Sequence, residues 1–207
     1  RAECSPFFLS LKTPKDESGF RIITPTPKMI DTSEFVESLL DRMSRFNVKP
    51  DTIAYRTAIQ AWAMIGDGNR ANKCLQKMCS LFHQGKTWVK PDREAFHSVL
   101  RAYARGPKTP ETMNHCYELV KQMQDFHLQG GWDTVPDTFT YNTVLTCLLH
   151  NQHVCDAVNQ AETLFHENMD GLRDTTSYNI LLEVYGGQGM ASEAATLLEQ
   201  MFDEHQN

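Results

Sequence analysis

The chain has 207 residues, 41% hydrophobic and 22% charged, a balance that suits a folded protein and excludes a disordered one. No stretch approaches the roughly 18 uninterrupted apolar residues that a membrane-spanning helix needs, so membrane insertion is not expected. Twenty Lys and Arg against 26 Asp and Glu give a net charge of −6, which confines any nucleic-acid binding to a local surface rather than a globally basic one.

Residues 1–32 read as an extended N-terminal arm, because Ser5-Pro6 and Thr24-Pro25-Thr26-Pro27 disfavour regular structure. The chain begins at Arg1 rather than Met, which leaves room for a targeting peptide upstream. Ser33 is the expected N-cap of the first helix, with Glu37 in its opening turns. Val36, Leu39, Leu40 and Met43 then recur at i, i+3, i+4 and i+7, one face of an α-helix. Residues 33–51 are therefore expected to form a partial repeat, a second helix without its leading partner.

From Pro50 onward one pattern returns. PDTIAYRTAI begins at Pro50, PDREAFHSVL at Pro91, PDTFTYNTVL at Pro136 and RDTTSYNILL at Arg173. Asp51, Asp92, Asp137 and Asp174 are spaced 41, 45 and 37 residues apart, and Tyr55, Phe96, Tyr141 and Tyr178 keep the same intervals. Each Asp, or the residue after it, can cap the helix that starts there. The prolines before three of them are expected to stop the preceding helix.

A second landmark follows each of these. Ala71-Cys74-Leu75-Met78, Cys116-Leu119-Val120-Met123 and Ala194-Leu197-Leu198-Met201 repeat the spacing of the first helix. Ala161-Leu164-Phe165 starts the same way but breaks register, with Asn168 in the expected place and Met169 one residue late. Turns are expected at Gly66-Asp67-Gly68, Gly106-Pro107, Asn151-Gln152 and Gly186-Gly187-Gln188-Gly189. Each unit is thus a helical hairpin, with repeats at 52–92, 93–137, 138–174 and 175–207. One hairpin cannot bury its own apolar face, so the predicted fold is all-α, an α-solenoid of stacked antiparallel hairpins. Each Leu or Phe buried between hairpins stabilises by roughly 1.5–3 kcal/mol.

The residues with chemical potential do not assemble into a reaction centre. Cys4, Cys74, Cys79, Cys116, Cys147 and Cys155 include no CxxC pair, and Cys74, Cys116 and Cys147 fall on apolar stripes, which suits a reducing compartment. His150, His153 and Cys155 span a turn and fit no zinc spacing, so no metal is expected. The glycines at 186–189 lack the Gly-Lys-Ser/Thr and preceding strand of a phosphate loop. No nucleophile elbow, deaminase signature or cluster of Asp residues is present, and neither catalysis nor a cofactor is expected. Trp88 and Trp132 fall on expected loops, where each could tuck against its own hairpin or meet a partner.

The tetratricopeptide Trp-Leu-Gly-Tyr pattern is absent. Val48-Lys49-Pro50-Asp51 with Tyr55, Val89-Lys90-Pro91-Asp92 with Phe96, Thr140-Tyr141-Asn142-Thr143-Val144-Leu145, and Ser192 to Met201 instead resemble the pentatricopeptide-repeat (PPR) signature. The resemblance implies an organellar protein, in a mitochondrion or chloroplast, that binds single-stranded RNA along a groove lined by the first helices. It implies base readout by the residue after the aromatic together with the last residue of the repeat. These pairs are Arg56 with Asp92, His97 with Asp137, and Asn142 with Asp174, while Asn179 has no partner within the chain. Ile53, Glu94, Phe139 and Thr176 take the place of residues that pack on base faces. Late in the first helices, where the family often carries Lys, stand Met64, Arg105, His150 and Gly187, and only Arg105 is plainly cationic. Asn142 with Asp174 matches the family's uracil preference. The repeats are longer than is usual in the family, and Glu94 is a carboxylate where a base would stack. These departures support an alternative, a structural subunit that binds proteins within a large organellar assembly.

Overall fold

A computed structural model describes residues 27–107, 109–128, 133–150 and 156–206, with side chains to Asp203. Among these residues there are helices and connecting turns and no strand. The helices are α1 (Pro27–Arg45), α2 (Thr52–Ile65), α3 (Gly68–His83), α4 (Arg93–Arg105), α5 (Pro110–Leu128), α6 (Thr138–Leu149), α7 (Ala157–Thr163), α8 (Thr175–Gln188) and α9 (Ala191–Gln206). A π-helical turn, Leu164–Asn168, continues α7.

The first helices stack directly, α2 on α4, α4 on α6 and α6 on α8. The second helices α3, α5, α7 and α9 pack on the first helix of their own pair, and α1, α3, α5 and α7 pack on the first helix that follows. Among the described residues no two second helices approach one another as closely by backbone. The first helices therefore form the inner layer of the stack. The layers meet over Ile59, Trp62, Leu75, Met78, Phe96, Leu100, Leu119, Met123, Leu145, Leu148, Phe165 and Tyr178, all essentially inaccessible to solvent. Cys74, Cys116 and Cys147 are buried among them as free thiols.

The four Asp residues start the inner helices. Asp51, Asp92, Asp137 and Asp174 each stand in extended backbone and accept from the amide three residues on, of Ala54, Ala95, Thr140 and Ser177. A carboxylate here satisfies an orphan N–H and lies at the positive end of the helix dipole.

Several sequence expectations need correction. Helix α1 starts at Pro27, so residues 27–32 are helical and Ser33 does not cap it. Proline is well placed in a first turn, where its missing N–H costs nothing. Ser33 lies inside α1 with its hydroxyl near the Met29 and Ala61 carbonyls, both at 3.1 Å. Glu37 accepts instead from the Trp62 indole N–H at 2.9 Å. The helices also end well before Pro50 and Pro91, at Arg45 and His83. Left-handed Asn47 and Gly85 turn the chain out of them. At the last hairpin α8 runs through Gly186 to Gln188, and only Gly189 takes the left-handed cap, at φ 70°. The arm over residues 1–26, Trp132, and the 151–155 turn with His153 and Cys155 lie outside the described residues.

The break after Phe165 has a structural cause. The π-helical turn adds one residue, so Met169 reaches the buried place that Met78 and Met123 fill at i+7, and it is fully inaccessible. Arg173 donates from Nε to the Phe165 carbonyl at 3.1 Å and from its NH2 group to the His166 carbonyl at 3.3 Å. Its guanidinium lies 5.1 Å from the Phe165 ring centroid.

Candidate nucleic-acid interface

Residues at i, i+3, i+7 and i+11 fall within about 80° on a helix, so each inner helix offers one row to the inner side. The rows are Ile53, Arg56, Gln60 and Met64 on α2, and Glu94, His97, Arg101 and Arg105 on α4. They continue as Phe139, Asn142 and Thr146 on α6 with His150 at its C-cap, and Thr176, Asn179, Glu183 and Gly187 on α8. Ile53 is 62% and Phe139 41% exposed, apolar surface open to solvent on this row.

Arg56, His97 and Asn142, which follow the aromatics of the first three repeats, each reach the N-cap of the next inner helix. Arg56 donates to Asp92 Oδ2 at 3.1 Å. His97 places Nε2 at 3.1 Å from Thr140 Oγ1 and 3.3 Å from Asp137 Oδ1. Asn142 donates from Nδ2 to Asp174 Oδ1 at 3.0 Å, and its Oδ1 lies 2.7 Å from the Ser177 hydroxyl. The three residue pairs expected from sequence are therefore direct contacts between neighbouring hairpins. Asn179 stands exposed on α8.

The caps at α6 and α8 are reciprocal. Thr140 and Ser177 accept from the backbone N–H of Asp137 and Asp174, and their own amides donate back to the carboxylates. Each box is then joined to the hairpin before it, through His97 or through Asn142. Thr140 and Ser177 were not among the expected site residues, although Asp-x-x-Thr and Asp-x-x-Ser are a readable capping signal. At Asp92 the third residue is Ala95, whose amide donates to the carboxylate but which has no hydroxyl to accept in return, so Arg56 joins a simple cap rather than a box.

Burial and hydrogen bonding oppose each other at these carboxylates. Burial alone would raise Asp137, but hydrogen bonds from Thr140, with His97 and Arg93 nearby, bring it below the ordinary Asp value. At Asp174, burial is likewise outweighed by hydrogen bonds from Asn142 and Ser177, with a further contribution from Thr176, again to a lowered value. His97 is 8% exposed, and burial lowers its pKa even though Asp137 and Glu94 favour the charged form. The 3.3 Å approach to Asp137 is thus a neutral imidazole beside a carboxylate rather than a full ion pair. Because the Thr140 hydroxyl donates to Asp137 at 2.9 Å, the imidazole presents Nε2–H to it. The ring also lies against Phe139, centroids 4.5 Å apart.

Arg93 and Arg101 are charges the sequence analysis did not single out. Arg93 bridges Asp133 at 3.3 Å and Asp137 at 3.4 Å. Arg101 lies in the inner row, paired with Glu94 and 5.8 Å from the Phe139 centroid. Arg105, the cation expected late in the first helix, is exposed on a cleft of about 830 Å³ at the turn end of the first two hairpins. Trp88 is 42% exposed, with the Lys49 ammonium 4.6 Å over its ring and its carbonyl accepting from the Thr52 amide at 3.3 Å. Among the described residues no group of His, Cys, Asp or Glu could hold a metal. No described helix is long and apolar enough to cross a membrane.

Comparison with known proteins places this architecture. Residues 38–105 match the family described as pentatricopeptide repeat domain, and residues 176–205 match the family described as PPR repeat. One pentatricopeptide repeat-containing protein of Arabidopsis thaliana is 30% identical over 112 residues, 54% of this chain and 17% of the relative. Another from the same plant is 25% identical over 167 residues, 80% of this chain and 19% of the relative. The chain thus spans less than a fifth of the length of these relatives.

Proposed function

The chain belongs to the pentatricopeptide-repeat family, and on that premise we propose that its inner row binds single-stranded RNA without catalysis, in an organelle. Membership associates the chain with RNA in general terms. The finer reading rests on one observation, the contact of Asn142 with Asp174 at 3.0 Å, the pair the family uses for uracil. The Asn142 amide keeps a second N–H and a second carbonyl lone pair beyond those bound to Asp174 and Ser177. A uracil edge supplies complementary acceptors and a donor. Ile53 and Phe139 would supply apolar faces for bases, as Arg56 with Asp92 and His97 with Asp137 would supply edges. The strand would be occluded, positioned or stabilised, within a mitochondrion or chloroplast.

The balance of charge sets the strength. Arg56, Arg101 and Arg105 are the inner-row cations, and the first two already face carboxylates. With about two phosphate contacts, affinity should fall about tenfold or less between 50 and 200 mM salt. Fluorescence anisotropy with a labelled uracil-rich strand at about 50 mM salt, where screening is weak, tests the reading. Wild-type binding that Asn142→Ala weakens supports it, and no binding to any single strand at that salt overturns it.

Glu94 favours a second reading, the protein-binding subunit. A carboxylate where a base would pack suits a partner protein with basic side chains. The native complex decides between them through what occupies the inner row.

A further inference from the structure

We infer that Arg101 is a phosphate-binding residue of the inner row and that Glu94 is its internal competitor. The inference rests on the RNA reading above and deepens it. Arg101 takes the third place in the α4 row, where the other inner helices carry Gln60, Thr146 and Glu183. Glu94 takes the first place, where the others carry Ile53, Phe139 and Thr176. Both charges depart from the other hairpins, on the same hairpin, and they face each other. Arg101 NH2 lies 2.5 Å from Glu94 Oε1 and 3.1 Å from Ser98 Oγ.

The guanidinium also lies 5.8 Å from the Phe139 centroid, at the face offered to a base. A phosphodiester presents the same paired oxygens as a carboxylate, and a guanidinium fork fits both. The side chains are 38% and 43% exposed, so the pair is open to solvent and weak. A strand entering beside Phe139 can therefore take the guanidinium from Glu94, and the freed carboxylate turns to water. Until it does, Glu94 cancels the one cation in the middle of the inner row. The other polar groups near this point are already engaged: Arg93 bridges Asp133 and Asp137, and the neutral His97 ring lies on Asp137 and Thr140.

A uracil-rich single strand is titrated against wild type, R101Q, R101K, E94Q and the double variant E94Q/R101Q, at about 50 and 200 mM salt. R101Q is expected to weaken binding about two- to five-fold and to reduce the log–log salt slope by about 0.7, the share of one phosphate. R101K should keep the slope, because it keeps the charge. E94Q should tighten binding about two- to five-fold, and most of that gain should vanish when Arg101 is Gln. An unchanged slope in R101Q, or an equal E94Q gain in both backgrounds, overturns the inference while leaving the RNA reading standing. A wild type that binds no strand overturns both.

Discussion

His97 combines three roles at one side chain: it fills space against Phe139, donates toward the Thr140 and Asp137 cap, and is neutral because burial lowers its pKa. A buried group that resists protonation more than the unfolded chain does makes stability pH-dependent. The unfolded chain takes up the proton first as pH falls through about 6.5. The contribution of His97 is thus full above that value and is lost as pH drops toward its lower folded pKa. Chemical denaturation between pH 7.5 and 5 should show this decline, and His97→Gln should flatten it; an equally steep decline in the variant would contradict it. Asp174 has the same sign in a more acidic window, because its folded pKa is also lowered, with stability lost below about pH 4. Asp174→Ala removes the cap of α8 and the contact to Asn142 together, and should cost about 1–2 kcal/mol in a urea titration at pH 7.

The hairpins show how one spacing rule makes the layers and where it is allowed to fail. A residue inserted in a regular helix turns every later side chain by about 100°. The π-helical turn at Leu164–Asn168 absorbs one such residue and returns Met169 to the core. Deletion of Asn168 should therefore convert the turn to ordinary helix and preserve cooperative melting. Deletion of Lys121 in regular α5 should swing Met123 and Phe126 off the core face and abolish it. Equal loss in the two deletions would remove the register argument. The turns impose a second limit. A Cβ at Gly68 would overlap the Tyr103 ring, and Gly66 takes φ 76° where α2 ends against the backbone of Arg105 and Gly106. Gly68→Ala should cost about 1–3 kcal/mol through this overpacking, read as a lowered denaturation midpoint with unchanged slope. A neutral result would mean that Tyr103 has room to move.

The stack as a whole was readable because its landmarks repeat. Asp51, Asp92, Asp137 and Asp174 marked the inner helices, and the Leu75-to-Met78 type of spacing marked the outer ones. The start of α1 was hidden because proline signals a break yet is also favoured in a first turn, and Ser33 signals a cap yet can bond back to a carbonyl within a helix. At the inner row, periodicity identified which residues share a face. It could not tell that Arg101 meets Glu94, or that His97 is buried, because these depend on how neighbouring hairpins close on each other. The molecule that results has an acidic total and an inner surface with mixed charge, apolar Ile53 and Phe139, and the Asn142–Asp174 contact. On the proposed function, RNA lies on the inner helices. Photocrosslinking of the intact protein to a 4-thiouracil-substituted single strand, with crosslinked peptides identified by mass spectrometry, tests this most directly. Crosslinks within 93–105 and 138–149 are the expected result, and crosslinks confined to the outer helices α3, α5 and α9 would contradict it.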